Sequence, residues 1–148
     1  MALKIGDIKI ENQLALAPMA AVGNLAFRLM CKNYGAGLIY TPMVNAYNLF
    51  MQRDPSRTLL DIDPGERPVA IQLVGSKPEA LTSASETVSE KADIIDINMG
   101  CPESDLLAQK CGAYLVKETA QIERVVKAVI AGTNRPVTVK IRIGWASH

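Results

Sequence analysis

Five short apolar runs recur along the chain, each followed by a stretch with helical periodicity, and that alternation constrains the fold more than any other feature. The runs are Leu14–Ala17, Leu38–Val44, Val69–Val74, Asp93–Asn98 and Val137–Ile143. Segments such as LALA, GLIY, VAIQLV and DIIDI lack strict alternation, which marks strands covered on both faces. Strands alternating with helices form βα units and pair in parallel, because a parallel pair needs a crossover connection. The helices carry their own signals. Asn24 stands as N-cap of a helix to about Asn33, with Leu25, Leu29 and Met30 as its apolar stripe. Ser76 and Glu79 have the spacing of a capping box for a helix from Lys77 to about Lys91. Thr119 opens a third helix, in which Ile122, Val125, Val126, Val129 and Ile130 share one face.

The runs start 24, 31, 24 and 44 residues apart. A (β/α)8 barrel uses roughly 250 residues for eight units, so five units fit a chain of 148. A complete, open, doubly wound sheet of five strands fits that length too. Such sheets usually carry a glycine-rich phosphate turn after the first strand. Here Pro18-Met19-Ala20-Ala21-Val22-Gly23 follows instead, with no GxGxxG. Spacing alone leaves both architectures open. Gly144–His148 is not a natural ending for a barrel, and the expectation is an α/β chain forming the N-terminal portion of a TIM barrel.

Composition narrows the class. A hydrophobic fraction of 49% with 21% charged residues supports a folded core rather than disorder. The net charge of +1 offers no global attraction to a polyanion, so any nucleic acid must bind a local patch. No run approaches the ~18 apolar residues of a membrane span. Met1–Ile10 alternates apolar residues with Lys4, Asp7 and Lys9, unlike a signal peptide. The three cysteines, Cys31, Cys101 and Cys111, show no close pairing, which favours a reducing, cytoplasmic location.

In a barrel the active face lies at the C-terminal ends of the strands. Pro18 and Met19 follow the first run, Gln72 lies in the third, Asn98 and Cys101 close the fourth, and Lys140 and Arg142 lie in the fifth. Lys140 interrupts a β-branched strand, and a charge buried there is costly unless a bound anion pairs with it; the alternative is an edge-strand lysine facing solvent. Gln72 suits the edge of a heterocycle, although a structural glutamine is the simpler account. Gly100 and Pro102 bracket Cys101 in a turn, so its thiol should project from a loop. Nucleophile, acid and metal ligand are the available roles. The only histidine is His148 and Cys111 lies ten residues on, so neither a metal site nor a Cys–His pair is easily built. An acid needs no partner, because a thiol titrating at about 8.5 is protonated at neutral pH. Cys31 is read as packing, Cys111 receives no role, and Arg53–Arg57 is read as a solvated loop.

The segments LAPMAAVGNLAFR, YGAGLIYTPMV, RPVAIQLVGSKPEAL, ADIIDINMGCP and PVTVKIRIGW occur in order and resemble the dihydrouridine synthase family, from about residue 10 to 145. The resemblance implies that residues 1–148 are part of an FMN-binding TIM barrel, which in the family continues into three more βα units and a helical tRNA-binding domain. By position, Pro18, Met19 and Ala20 resemble the stretch that lies against the flavin. Gln72 resembles the residue at the isoalloxazine edge, and Lys140 the lysine that reaches the flavin. Asn98 matches the asparagine near the target uracil, Arg142 falls with it on the substrate side, and Cys101 matches the catalytic cysteine. The implied reaction reduces the C5–C6 double bond of a uridine in tRNA. NADPH (or NADH) reduces FMN, hydride passes from flavin N5 to uracil C6, and Cys101 protonates C5 of a base extruded from the RNA.

Two departures stand out. The family often reads TEMV where this chain has Thr41-Pro42-Met43-Val44. After the catalytic turn a basic, glycine-rich stretch is usual, but here Glu103-Ser104-Asp105 precedes Lys110-Cys111-Gly112, and exposed acids would repel phosphates. Flavin dehydrogenases of free pyrimidines are the alternative enzyme, and an inactive barrel fragment the alternative outside enzymology. Five barrel strands leave an open edge, which invites association.

Overall fold

The computed structural model describes residues 3–53 and 57–145. Of the expected Arg53–Arg57 loop, residues 54–56 lie outside the described residues, as does His148.

The chain opens with a hairpin that the sequence reading did not anticipate. Strands β1 (Leu3–Ile5) and β2 (Ile8–Ile10) pair antiparallel about Gly6, which sits at φ +57°. A Cβ at Gly6 would also lie 2.7 Å from Pro136 Cγ, so glycine serves both the turn and the close approach. Ile10 is buried with Leu38, Ala70 and Ile94, residues at the N-terminal ends of the main strands. The hairpin therefore covers the end of the sheet opposite the site.

The main sheet is parallel throughout. It contains β3 (Ala15–Leu16), β4 (Leu38–Tyr40), β6 (Val69–Val74), β7 (Ile94–Met99) and β8 (Val137–Ile141) as successive neighbours, with β5 (Val44–Asn45) continuing beside β6. Strand order follows chain order without a reversal. A doubly wound sheet must reverse at a switch point, whereas a curled sheet that keeps adding strands on one side is half of a barrel. The order decides between the two architectures left open by spacing.

Helices α1 (Leu25–Asn33), α3 (Pro78–Ser89) and α5 (Thr119–Ala131) make the crossovers, with short helices α2 (Ala46–Phe50) and α4 (Ser104–Ala108) and 3₁₀ turns between them. Ile71, Leu73, Ile95 and Ile97 point outward into one core with Leu81, Ala84 and Val88 of α3 and Val125 and Val129 of α5. Asn24 caps α1 as expected, its side chain accepting from Phe27 N.

Three details differ from the sequence reading. Ser76 and Glu79 form no capping box: Pro78 occupies the first turn, Lys77 is the N-cap residue, and Ser76 Oγ donates to Gln109 O at 2.9 Å. Met30 is exposed, and the fully buried residue of α1 is Arg28. Ile130 is likewise outside the α5 core, where Ala128 takes the inner position.

Arg28 is buried because its charge is met on every side. Its Nε and Nη2 donate to the two carboxylate oxygens of Glu66 at 2.7 and 3.1 Å, Nη1 to Gly23 O at 2.9 Å and Nη2 to Asp61 O at 2.6 Å. Both side chains are 0% exposed. The pair ties the loop after β3 to the turns before β6.

Candidate functional site

Alternation is present in the central strands after all. It is hidden because both faces are buried: aliphatic residues point outward to the helices, and Gln72, Asp96, Asn98, Thr138 and Lys140 occupy the inner positions. The register places Gln72 beside Asp96, Asp96 beside Thr138, and Asn98 beside Lys140. Parallel pairing thus stacks five polar side chains on one face of the half-barrel.

These side chains satisfy one another. Gln72 Nε2 donates to Asp96 Oδ2 at 2.6 Å, Thr138 Oγ1 to Asp96 Oδ1 at 2.6 Å, and Asn98 Nδ2 to Gln72 Oε1 at 2.9 Å. Asn98 Oδ1 accepts from Gly100 N at 3.1 Å and from Cys101 N at 3.0 Å, which fixes the turn carrying the thiol. Arg142 Nε donates to Gly100 O at 2.6 Å from the other side. Gly112, at φ +58°, packs behind the turn, where a Cβ would lie 2.6 Å from Cys101 O, and Ala113 N donates to the same oxygen at 2.9 Å. Gln72 and Asp96 are buried and Asn98 nearly so, and among the described residues no buried side-chain polar atom lacks a partner.

A cavity of about 280 Å³ opens above this layer. Pro18 and Ala20, Gln72, Asn98 and Cys101, and Lys140 and Arg142 all line it, so the structure brings together seven of the eight residues singled out from sequence. Met19 does not line it; its carbonyl instead accepts from Gly23 N at 3.1 Å, closing the turn that presents Pro18 and Ala20. Met43, Gly100 and Pro102 complete the lining. Met43 belongs to the segment where the family often has TEMV: Thr41 Oγ1 accepts from Gln72 N at 3.2 Å, and Met43 Sδ lies 3.7 Å from Asn98 Nδ2.

Lys140 corrects the expectation of a buried charge. It is exposed, because β8 pairs only with β7 among the described residues and the strand is open on its far side. Desolvation therefore does not demand an anion there. Lys140 still faces the cavity, and neither it nor Arg142 enters an ion pair among the described residues.

Electrostatics follow from burial. Desolvation raises the pKa of Asp96 above its ordinary value, against the hydrogen bonds from Gln72 and Thr138 and the charge of Lys140. Tyr40, on the same inner face, is raised by burial and by the Asp96 charge, and Thr138 opposes the shift. Burial pushes the Cys111 thiol up, against a hydrogen bond with Ser76. Cys111 packs with Val74 and Leu106 beneath Cys101 and Met43, a packing role. No group of three or more metal-binding side chains occurs among the described residues.

The sequence model of the family described as Dihydrouridine synthase (Dus) matches residues 15–148. The chain belongs to the dihydrouridine synthase family. Among curated relatives, tRNA-dihydrouridine synthase B of Shewanella oneidensis is 36% identical over 144 residues, covering 97% of this chain and 45% of that protein. Probable tRNA-dihydrouridine synthase 1 of Synechocystis sp. is 34% identical over 145 residues, covering 97% and 41%. Sequence reasoning left out Tyr40, Asp96 and Thr138, which lie on the inner face of the strands and do not line the cavity. Asp96 and Thr138 had a signal, since each stands two residues before an inward-facing polar residue on its own strand. Tyr40 had none, because an aromatic residue in an apolar run looks like core. No helix of the described residues is long and apolar enough to cross a membrane.

Proposed function

We propose that this chain supplies one half of the catalytic barrel of an FMN-dependent tRNA-dihydrouridine synthase that uses NADPH or NADH. The chain spans less than half the length of the curated relatives it matches, so activity on tRNA belongs to the protein as a whole. The observation that carries the proposal is the cavity, where a thiol, two oriented amides and two cations without an ion-pair partner among the described residues converge at the C-terminal ends of parallel strands.

The lining fits a flat, acceptor-rich heterocycle with anionic character. Pro18, Ala20 and Met43 give an apolar surface, and Gln72 keeps one amide hydrogen beyond the one given to Asp96. Lys140 and Arg142 place positive charge at the open side. Pro18, Met19, Ala20, Gln72 and Lys140 are assigned to FMN, and Asn98 and Arg142 to the uridine. FMN, when bound, supplies the two-electron chemistry that reduces the uracil C5–C6 bond. Cys101 holds a proton on Sγ and delivers it to C5. Its turn is held by Asn98 from within the barrel, by Arg142 at Gly100 O and by the Gly112–Ala113 backbone at Cys101 O, so the thiol is aimed before substrate arrives. Glu103 and Asp105 are exposed beside this turn, which restricts the approach of phosphates and turns the RNA toward the Lys140–Arg142 side. A cytoplasmic setting suits free thiols and a tRNA substrate.

The test couples two measurements: titration with FMN followed by flavin fluorescence, and dihydrouridine formed in unmodified tRNA by wild type and Cys101→Ala. Flavin binding retained in the variant, with product lowered about 10²–10⁴-fold, is the expected result for a lost general acid. Reduction of free uracil in preference to folded tRNA moves the chain to the free-pyrimidine enzymes. Absence of flavin binding overturns the proposal.

A further inference from the structure

The amide network beneath the cavity has a direction, and that direction begins at Asp96. A carboxylate only accepts hydrogen bonds, whereas a primary amide has one accepting and one donating end. Asp96 Oδ2 at 2.6 Å therefore requires the nitrogen of Gln72, not its oxygen. With Nε2 committed, Oε1 is the atom Gln72 turns to Asn98, which must answer with Nδ2, at 2.9 Å. Asn98 is then left with Oδ1 for Gly100 N and Cys101 N. Each choice forces the next, back and forth between β7 and β6, from a buried carboxylate to the backbone of the thiol-bearing turn.

We propose that Asp96 is the positioning residue of this site, setting the orientation of both amides and, through them, the turn that carries Cys101. Asp96 touches neither substrate nor cofactor; it lies below the cavity, and Gln72 and Asn98 line it. The inference rests on Cys101 being the working group proposed above. Its consequence for recognition is that the acceptors of Asn98 are consumed internally, since Oδ1 already takes two N–H groups. The polar groups turned to a ligand are then mainly donors: the spare hydrogen of Gln72 Nε2, with Lys140 and Arg142, since the second hydrogen of Asn98 Nδ2 faces Met43 Sδ. Such a surface suits a heterocycle edge carrying carbonyl oxygens.

Thr138 makes the proposal separable from a simple need for charge. Its hydroxyl donates to Asp96 Oδ1 at 2.6 Å but accepts equally well. In Asp96→Asn, the new amide nitrogen can face Thr138 and its oxygen Gln72, which preserves the direction without the charge. In Asp96→Leu no acceptor remains, Gln72 loses its orientation, and in the flipped state its nitrogen opposes that of Asn98. Thr138→Val alone leaves the carboxylate in command. Combined with Asp96→Asn, it removes the group that tells the new amide which way to lie.

The experiment is amide hydrogen exchange resolved at Gly100 and Cys101, with the amides of Val69–Val74 as internal reference, on the chain as it stands. Asp96→Leu is expected to speed exchange at the two turn amides by roughly three- to tenfold, the factor that accompanies loss of one ordinary hydrogen bond. The reference strand should not change, and Asp96→Asn should restore the wild-type rates. If Asp96→Leu does not fold, the Asp96→Asn/Thr138→Val pair is expected to speed the same two amides while each single variant does not. Unchanged turn amides, acceleration spread equally over the reference strand, or Asp96→Asn failing as Asp96→Leu does would each overturn the proposal. Exchange is read without flavin or RNA, so failure of FMN binding would sink the proposed function while leaving this measurement intact.

Discussion

Replacing Glu66 with alanine removes the only carboxylate facing Arg28 among the described residues and leaves a guanidinium that is 0% exposed. Gly23 O and Asp61 O would still accept from Nη1 and Nη2, but neither carries a counter-charge. Asp63 N, at 3.0 Å from Glu66 Oε1, would also lose its partner. Breaking a buried pair from one side costs about 3–5 kcal/mol. For a domain of this size each kcal/mol moves Tm by ~2–4 °C, giving a fall of roughly 6–20 °C. Whole domains are stable by only about 5–15 kcal/mol, so Glu66→Ala should sit close to unfolding. Urea denaturation followed by circular dichroism reads the change as a lower midpoint with an unchanged slope. The paired replacement Arg28→Met/Glu66→Leu should recover most of the loss, because it abolishes the stranded charge, although Gly23 O and Asp61 O then go unmet. A Glu66→Ala variant within about 1 kcal/mol of wild type would refute the reasoning, since that is the range of solvent-exposed pairs. Loop geometry is at stake as well as stability: Arg28 grips Gly23 O, and Gly23 N grips Met19 O, so the stretch assigned to FMN is hung from this pair.

Gly112→Ala places a Cβ 2.6 Å from Cys101 O at φ +58°; a cost of about 1–3 kcal/mol is expected, with a changed alkylation rate at Cys101 as the local sign, and an unaltered Tm would refute it. Burial raises the folded-state pKa of Asp96 above the ordinary carboxylate value. The native state therefore holds the proton more tightly, and stability contributed by Asp96 is fully present below its unfolded-state pKa and is lost as pH rises through the higher folded-state pKa. Asp96→Asn should flatten this acid-side slope in a series of urea midpoints. Val139 on the open side of β8 is 44% exposed, so the chain is expected to elute in gel filtration above its 16.0 kDa, and Val139→Lys should shift it toward the monomer.

How far the sequence could be read depended on whether the deciding partner was local. Val69–Val74 was legible to the residue, because a strand buried on both faces needs only its own apolar composition and flanking Pro68 and Gly75 to declare it. Asn24 was legible for the same reason: a cap acts within three residues. Ser76 and Glu79 failed by that standard, since the same spacing was overruled by a distant acceptor, Gln109 O, which no local pattern announces. Arg28 is the sharper case. Its burial depends on Glu66, Asp61 and Gly23 meeting in space, and a charged residue between Phe27 and Leu29 otherwise belongs on a helix surface. The site was legible in its members, because barrel topology sends strand-end residues to one face. Their connections were not, because hydrogen bonds across β6, β7 and β8 depend on register, and register is invisible in a single strand. Once Gln72, Asp96 and Thr138 are side by side, donor and acceptor chemistry leaves a single self-consistent arrangement. Residue types that looked interchangeable in sequence, two amides and an acid, then acquire an order that runs toward Cys101.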